Sequence, residues 1–267
     1  MSTGSDSVAE MFQQLKSMLS DYGRAAVCFS GGVDSTFLAK TAVDVLRRGN
    51  VLGILADTPS LPRRELDYAR RTAELIGLDL LEVKTCEIDD PAYVSNTADR
   101  CYHCKKIIFG TLVAQAQDRG YETVLDGNNS DDAGDFRPGH KAALELGVQS
   151  PLMKVGLRKS VIRKISADLN LPTADKPAMS CLSTRVPAGC RISRELLLKI
   201  EKAEQVLWDA GFSQVRVRDR GDCACLEIDA RDFRIMADEK LRVNLTDGIR
   251  RAGYTSVLLD LKPLIRR

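Results

Sequence analysis

The sequence predicts an α/β fold in which a parallel-sheet domain precedes a smaller α+β domain. Over roughly the first 170 residues, short apolar runs alternate with amphipathic stretches, which is the pattern of repeated βαβ units. A glycine-bearing loop at residues 30–35 joins an apolar run to a helical stretch. Towards the other end, alternating runs at residues 215–218 and 223–228 lie between helical stretches, as in a small mixed domain.

The elements predicted for the first domain follow from the period of the apolar residues. The strand at residues 25–29 is continuously apolar, which suits a strand covered on both faces. The helix at residues 62–76 has proline near its first turn, where the missing N–H is tolerated. A loop is predicted near residues 89–99. The other predicted elements are helices at residues 8–19, 36–48, 102–117 and 159–169, and strands at residues 51–56, 80–84 and 123–126.

A proline-punctuated segment at residues 172–187 predicts the boundary between the two domains. We therefore assign residues 1–172 to a phosphate-loop domain and residues 173–267 to a C-terminal α+β domain. The second domain is predicted to contain helices at residues 193–210 and 240–252, and strands at residues 215–218, 223–228 and 256–259.

Composition excludes several classes of protein. Thirty-nine Lys and Arg against 37 Asp and Glu leave a formal charge of +2, which argues against a dedicated nucleic-acid binder. No apolar run approaches the ~18–20 residues of a membrane span, and the chain does not start with a basic and apolar leader. We expect a cytoplasmic protein with no membrane partner. The eight cysteines are then expected to be thiols that pack, bind metal or react.

The string Ser30-Gly31-Gly32-Val33-Asp34-Ser35 has the chemistry of a phosphate-binding loop. Small residues let backbone N–H groups approach phosphate oxygens, and the following helix adds the partial positive charge of its N-terminus. A carboxylate such as Asp34 makes sense in an anion site if it holds Mg²⁺ that carries the phosphates. A Walker-type loop would end in Gly-Lys-Ser/Thr, but the first lysine after this loop is Lys40.

The loop resembles the pyrophosphate (PP) loop of the N-type ATP pyrophosphatases, which cleave ATP between the α and β phosphates. Asp126-Gly127-Asn128-Asn129 and Asp132 are similar to a downstream segment of that superfamily. The resemblance implies an adenine nucleotide alpha hydrolase-like, Rossmann-like first domain with ATP and Mg²⁺ as cofactors. It also implies that Asp34 and Asp132 hold the metal, and that Asp126 and Gly127 complete the ATP site.

Cys181 is the candidate nucleophile. Adenylylation makes a carbonyl carbon electrophilic, so the second half-reaction needs nitrogen or sulfur. A lone cysteine is more often a buried filler than a nucleophile. However, Cys181 lies in a polar loop at residues 176–185, where nearby cations could lower the thiol pKa from its reference of ~8.5. This setting favours a reactive thiol.

Several motifs in order resemble the LarE family of ATP-dependent sacrificial sulfur transferases. They are the phosphate loop and residues 99–105, 134–139, 181–185 and 215–222. The resemblance implies that ATP activates a carboxylate of a small nucleotide substrate, a pyridinium dicarboxylate mononucleotide, in nickel-pincer cofactor synthesis. Cys181 would then form a thioester, and C–S cleavage would leave dehydroalanine. Arg216 and Arg218, two residues apart on one strand face, would hold the substrate phosphate, and the protein would be a homo-oligomer.

Other readings of the same residues remain open. Cys101 and Cys104, with Cys181, could supply three thiolates to a [4Fe–4S] cluster that carries sulfide, as in related tRNA thiolation enzymes. The phosphate loop alone would suit an ammonia-dependent ligase like NAD synthetase, or a nucleotide-binding regulator without turnover. Glu201 and Glu204 lie on one helix face and suit either a metal site or a polar surface. We interpret four further cysteines as packing or surface thiols: Cys28, Cys86, Cys223 and Cys225.

Overall fold

The structure is a computed structural model and describes residues 4–132 and 138–264. Two compact units divide the chain. The first takes its described residues from Met1–Thr58, Arg63–Glu87 and Cys101–Lys176, and the second from Pro59–Pro62, Ile88–Arg100 and Pro177–Arg267. The division into functional domains at residues 172 and 173 stays a prediction. Residues 134–137, which belong to the motif at 134–139, lie outside the described residues, as do residues 265–267.

The first unit is built on a four-stranded parallel sheet, as the sequence predicts. Its strands are β1 (Ala25–Cys28), β2 (Val51–Asp57), β3 (Asp79–Lys84) and β4 (Val124–Leu125), in the order β3-β2-β1-β4. The central strand β1 pairs with β2 from Ala25 opposite Val51. Three of its four residues are buried, which explains its continuous apolar run.

Helices surround this sheet. They are α1 (Gly4–Tyr22), α2 (Val33–Leu46), α3 (Arg63–Leu75), α5 (Arg100–Gln117), α6 (Pro138–Glu145), α7 (Pro151–Lys154) and α8 (Lys159–Asp168), with α4 (Pro91–Val94) in the second unit. A core cluster joins Phe109 and Leu112 of α5 to Ala26, Ile54 and Val124 of the strands.

Two local expectations were wrong. Helix α2 begins at Val33 rather than at residue 36, because Gly32 adopts the extended backbone of an N-cap and the loop residues after it form the first helical turn. The predicted loop near residues 89–99 contains α4, whose first turn is capped by the Asp90 carboxylate: one oxygen accepts from the backbone N–H groups of Ala92 and Tyr93.

The second unit is a small α+β fold, as predicted. Strand β5 (Val215–Arg220) runs antiparallel to β6 (Cys223–Ile228), and β6 runs parallel to β7 (Ser256–Leu259). Helices α9 (Arg194–Asp209) and α10 (Glu239–Arg251) cover the sheet, and short 3-10 helices lie at Leu182–Arg185 and Ala230–Ala237. Within the described ranges, no helix is long and apolar enough to span a bilayer.

Candidate active site

The phosphate loop follows β1 and lies close to α3 on one side and to the segment after β4 on the other. Gly31 has a φ of +65°, and a Cβ there would lie 2.8 Å from Cα and Cβ of Ala69 on α3. Gly127, after β4, approaches the loop from the other side: a Cβ there would lie 2.9 Å from the backbone nitrogen of Ser35. These two glycines therefore allow backbone approaches that larger residues would block.

Hydroxyl groups brace the loop internally. The Ser35 Oγ accepts from the Ser30 backbone N–H at 3.2 Å, lies 3.0 Å from the Ser30 Oγ, and donates to the Gly32 carbonyl at 3.3 Å. The loop is thus pre-shaped by its own side chains, which reduces the reorganisation needed when an anion binds.

Asp34 is the unusual carboxylate of the loop. Its Oδ1 is buried with no hydrogen-bond partner among residues 4–132 and 138–264, and its Oδ2 lies 3.4 Å from Lys159 Nζ. Burial raises the pKa of Asp34; the Lys159 ammonium opposes this shift and the Asp132 carboxylate adds to it. A buried oxygen left without a partner in a polar cavity is a natural ligand for a cation.

Asp126 is held rigidly at the end of β4. One carboxylate oxygen accepts from the Asn128 backbone at 3.1 Å and the other from the Asn128 side-chain amide at 2.5 Å. Burial raises the pKa of Asp126. Nearby, the Asp132 carboxylate accepts from the Asn129 backbone at 3.1 Å, which fixes the turn after the strand.

A cavity of about 490 Å³ in the first unit brings many of the predicted residues together. Its lining includes Ser30, Gly32, Asp34, Ser35, Asp126, Gly127 and Asp132 from the predicted ATP site, and Cys101 from the predicted cluster set. Gly31 and Val33 belong to the loop without lining this cavity. The geometry is that of a polar pocket at the carboxyl ends of β1 and β4, where parallel sheets bind ligands.

The same cavity contains side chains that the sequence reasoning missed. Lys105, His140 and Lys159 supply positive or titratable groups, and Cys28 lies at the end of β1. Burial, with a smaller contribution from Asp126, raises the pKa of the Cys28 thiol to about 12, so this thiol is neutral near pH 7. Lys105 is the last residue of the motif at 99–105, but no spacing in the sequence connects any of these residues to the phosphate loop, and only tertiary contact places them in its cavity.

Cys181 lies in the second unit, immediately before the 3-10 helix Leu182–Arg185, and is partly exposed. Its carbonyl oxygen accepts from Thr184 Oγ1 at 2.8 Å and from Arg185 Nη1 at 3.1 Å. The same Arg185 nitrogen donates to the Ser180 carbonyl at 2.8 Å. The thiol-bearing turn is therefore fixed through its backbone, and Cys181 itself is only partly buried.

Arg185 is fully buried and paired with Glu204 of α9. The Nε–Oε1 and Nη2–Oε2 distances are 2.7 Å and 3.2 Å, and the side chains are 0% and 4% exposed. Glu204 also accepts from the Val217 backbone N–H at 3.0 Å. This pairing gives Glu204 a structural role, and the metal-binding alternative for Glu201 and Glu204 stays untested.

Arg216 and Arg218 lie on one face of β5, as predicted. Arg218 donates to Glu227 at 2.8 Å and to the Thr184 carbonyl at 2.5 Å, and it lines a second cavity of about 480 Å³ with Arg185 and Arg220. Burial, together with the neighbouring guanidinium groups of Arg185 and Arg218, lowers the pKa of Arg216. The carboxylates of Glu227 and Glu204 oppose this shift, and an anion bound beside the guanidinium groups would oppose it further.

The predicted cluster cysteines lie on the first turns of α5, Cys101 exposed and Cys104 half-buried. In the part of the chain that the structure describes, no group of three or more His, Cys, Asp or Glu side chains is arranged to hold a metal ion. The three-thiolate cluster of Cys101, Cys104 and Cys181 stays a prediction. Cys225 is buried in β6, consistent with packing.

Comparison with known proteins agrees with this geometry. The family model of NAD synthase matches residues 7–117, which include the phosphate loop. An uncharacterized protein of Synechocystis sp. is 39% identical over 250 residues, covering 94% of this chain and 93% of that protein. The pyridinium-3,5-bisthiocarboxylic acid mononucleotide synthase of Lactiplantibacillus plantarum is 35% identical over 250 residues, covering 92% of this chain and 89% of the synthase. The chain belongs to the LarE family.

Membership of the LarE family confirms the resemblance noted in the sequence and makes the chain an ATP-using enzyme of the PP-loop superfamily. The NH(3)-dependent NAD(+) synthetase of Methanococcoides burtonii is 42% identical, but over only 55 residues, or 21% of each chain. Likeness to that synthetase therefore covers a small part of the chain, whereas likeness to the LarE relative covers both units.

Proposed function

We propose that this chain adenylylates a carboxylate of a pyridinium mononucleotide, releasing pyrophosphate, and then replaces the activated oxygen with sulfur from Cys181. The observation that carries the adenylylation step is Asp34: it lines the phosphate-loop cavity, and its buried Oδ1 has no hydrogen-bond partner among the described residues. The substrate class is suggested by the Lactiplantibacillus plantarum relative, which makes a pyridinium-3,5-bisthiocarboxylic acid mononucleotide.

The carboxylates of the cavity suit Mg²⁺ that arrives with ATP. Mg²⁺ is commonly bound by one or two protein carboxylates together with substrate phosphates. Asp34 and Asp132 would hold it, and when bound it would neutralise charge on the departing pyrophosphate. Lys159, already 3.4 Å from Asp34, offers the phosphates a cation from the protein itself.

The proposed chemistry balances without an external oxidant. The substrate carboxylate attacks the α-phosphorus and pyrophosphate leaves, giving an acyl adenylate. The Cys181 thiolate attacks the acyl carbon and AMP leaves, giving a thioester. A base then removes the Cα proton of residue 181 while the Cβ–S bond breaks. The product is a thiocarboxylate, and the protein, having lost the elements of H₂S, carries dehydroalanine.

The cationic cavity of the second unit suits the phosphate of such a substrate. Its wall includes Thr184, which lies three residues after Cys181, together with Arg185 and Arg218. Guanidinium groups bind phosphate oxygens through paired N–H donors. Arg218 lines this cavity, whereas Arg216 does not line it but lies beside Arg218 on the same face of β5. We propose that Arg216 and Arg218 hold this phosphate, so that the substrate is anchored within the same unit as the sulfur donor.

Substituting Asp34 by asparagine should lower substrate-dependent pyrophosphate release by about 10²–10³-fold, since charge stabilisation at the leaving group is lost. Single-turnover pyrophosphate assays with Mg-ATP and a pyridinium dicarboxylate mononucleotide measure this. The control is Asp44→Asn on the same helix, whose carboxylate is 49% exposed and paired with Lys40. Equal pyrophosphate release by Asp34→Asn and the wild-type protein would contradict the assignment.

Substituting Arg216 by glutamine should raise the substrate KM about tenfold, with kcat and the KM for ATP nearly unchanged, because one charged hydrogen bond to the phosphate is lost. Steady-state pyrophosphate release at varied substrate concentration separates these constants. Arg234→Gln, on an exposed turn of the same unit, is the matched control. An unchanged substrate KM would remove Arg216 from the phosphate site.

A further inference from the structure

Lys176 joins three groups around the base of the phosphate loop. Its Nζ donates to the Gly31 carbonyl at 2.9 Å, lies 2.8 Å from Glu65 Oε2, and stacks 3.6 Å from the ring centroid of Tyr68. The Lys176 and Glu65 side chains are 11% and 10% exposed. A mostly buried ammonium with a carboxylate, a carbonyl and an aromatic face is fully engaged, so its position is well determined.

The backbone around Lys176 is held by further contacts from the same unit. Tyr68 Oη donates to the Pro172 carbonyl at 3.0 Å. Arg163 of α8 donates to the Ala174 carbonyl at 2.5 Å and to the Lys176 carbonyl at 2.9 Å. The segment 172–176 is therefore fastened by side chains of α3 and α8, in addition to the ion pair of Lys176.

The phosphate loop rests on the same helix. Ala69 of α3 contacts Gly31 so closely that a Cβ at Gly31 would lie 2.8 Å from it, and Glu65 and Tyr68 are on that helix too. A shift of the Gly31 carbonyl when phosphates bind to the loop would be felt directly by the Lys176 ammonium. The ion pair thus couples the backbone of the loop to the segment 172–176.

Lys176 is also five residues before Cys181. A fully extended chain spans at most about 3.6 Å per residue, so the two Cα atoms are no more than about 18 Å apart. We propose that Lys176 is a positioning residue: it transmits ATP occupancy of the phosphate loop, through the Gly31 carbonyl, to the segment that carries the sulfur donor. The inference rests on the proposed function for the role of Cys181 and on the Gly31, Glu65 and Tyr68 contacts for the coupling.

The test measures Cys181 alkylation by iodoacetamide, followed by peptide mass spectrometry, in the whole protein with and without saturating Mg-ATP and with no second substrate. We expect ATP to slow alkylation of Cys181 by about threefold or more in the wild-type protein, because occupancy of the loop restricts the segment. In Lys176→Met the ratio of the alkylation rate without ATP to the rate with ATP should be about one. ATP binding is measured separately by calorimetry, so that each variant is compared at saturation.

Three controls keep the outcome decisive. Lys40→Met removes an exposed ion pair on α2 and should keep the wild-type ratio. Glu65→Gln, which retains the Lys176 contacts with Gly31 and Tyr68, should reduce the ratio of the two alkylation rates. This variant takes the place of Lys176→Met if Lys176→Met does not fold. Cys190, an exposed cysteine of the second unit, is the internal reference for any general effect of ATP on alkylation.

The proposal is overturned if ATP has no effect on Cys181 alkylation in the wild-type protein. It is equally overturned if the full effect persists in Lys176→Met at saturating ATP, since direct shielding by the nucleotide would then explain it. Neither outcome depends on sulfur transfer. Failure of the pyridinium substrate to release pyrophosphate would instead count against the proposed function alone.

Discussion

Replacing Cys181 by serine should abolish sulfur transfer while substrate-dependent pyrophosphate release stays within about threefold of wild type. Serine has no sulfur to give, whereas adenylylation is assigned to the phosphate-loop cavity. The fold should survive, because Thr184 and Arg185 bind the carbonyl oxygen of residue 181, which serine retains. Intact-mass measurement after one turnover should show the loss of H₂S in the wild-type protein and no loss in Cys181→Ser.

Two further variants separate this mechanism from its alternative. Cys190→Ser changes an exposed cysteine of the same unit and should leave sulfur transfer unchanged. Cys101→Ser should also retain transfer if Cys181 donates the sulfur directly, but should lose it if three cysteines ligate a cluster. An iron and sulfide assay on anaerobically purified protein gives an independent answer. Sulfur transfer by Cys181→Ser would contradict the direct mechanism.

Replacing Arg185 by methionine should lower the free energy of unfolding by about 3–5 kcal/mol, because the Glu204 carboxylate is left buried without its partner. The two side chains are 0% and 4% exposed, and Arg185 also supplies donors to the Ser180 and Cys181 carbonyls. Urea unfolding monitored by circular dichroism measures the change, provided the transition remains cooperative.

The comparison that identifies the cause is the double variant Arg185→Met/Glu204→Met, which removes both charges and should regain part of the loss. An exposed pair gives the reference for surface charges. Arg48 and Asp79 are 2.9 Å apart but 71% and 44% exposed, so Arg48→Met should change stability by no more than about 0.5 kcal/mol. A similarly small change for Arg185→Met would show that the buried pair is not needed for stability.

Much of the fold could be predicted because its signals are local. The bounds of β6 and β7 match their predicted ranges, because each is a short, mostly apolar run bounded by polar or turn residues. The helices α4, α6 and α7 and the 3-10 turns were missed, because a segment of three to eight residues gives too few periods to separate a helix from a loop. The Asp90 cap before a proline was the available signal for α4.

The candidate site likewise contains residues that local sequence motifs predict and residues that only the fold brings in. Asp34, Asp126 and Asp132 come from motifs beside strand ends, where topology itself gathers residues. Lys159 and His140 reach the cavity from distant helices, and no spacing in the sequence connects them to the loop. Arg185 could be read as a cation near the thiol, but its burial against Glu204, which gives it a structural use, depends on packing.

The backbone contacts at residue 181 bear on what becomes of a used molecule. Because Thr184 and Arg185 donate hydrogen bonds to the carbonyl oxygen of residue 181, the turn keeps these bonds when the sulfur is lost from the side chain. If Cys181 donates its sulfur as we propose, the used chain would stay folded and retain its nucleotide pocket. Chains without the thiol would accumulate beside unused chains and bind the same ATP. The rate of thiocarboxylate formation would then depend on how fast new chains are made and used chains are degraded.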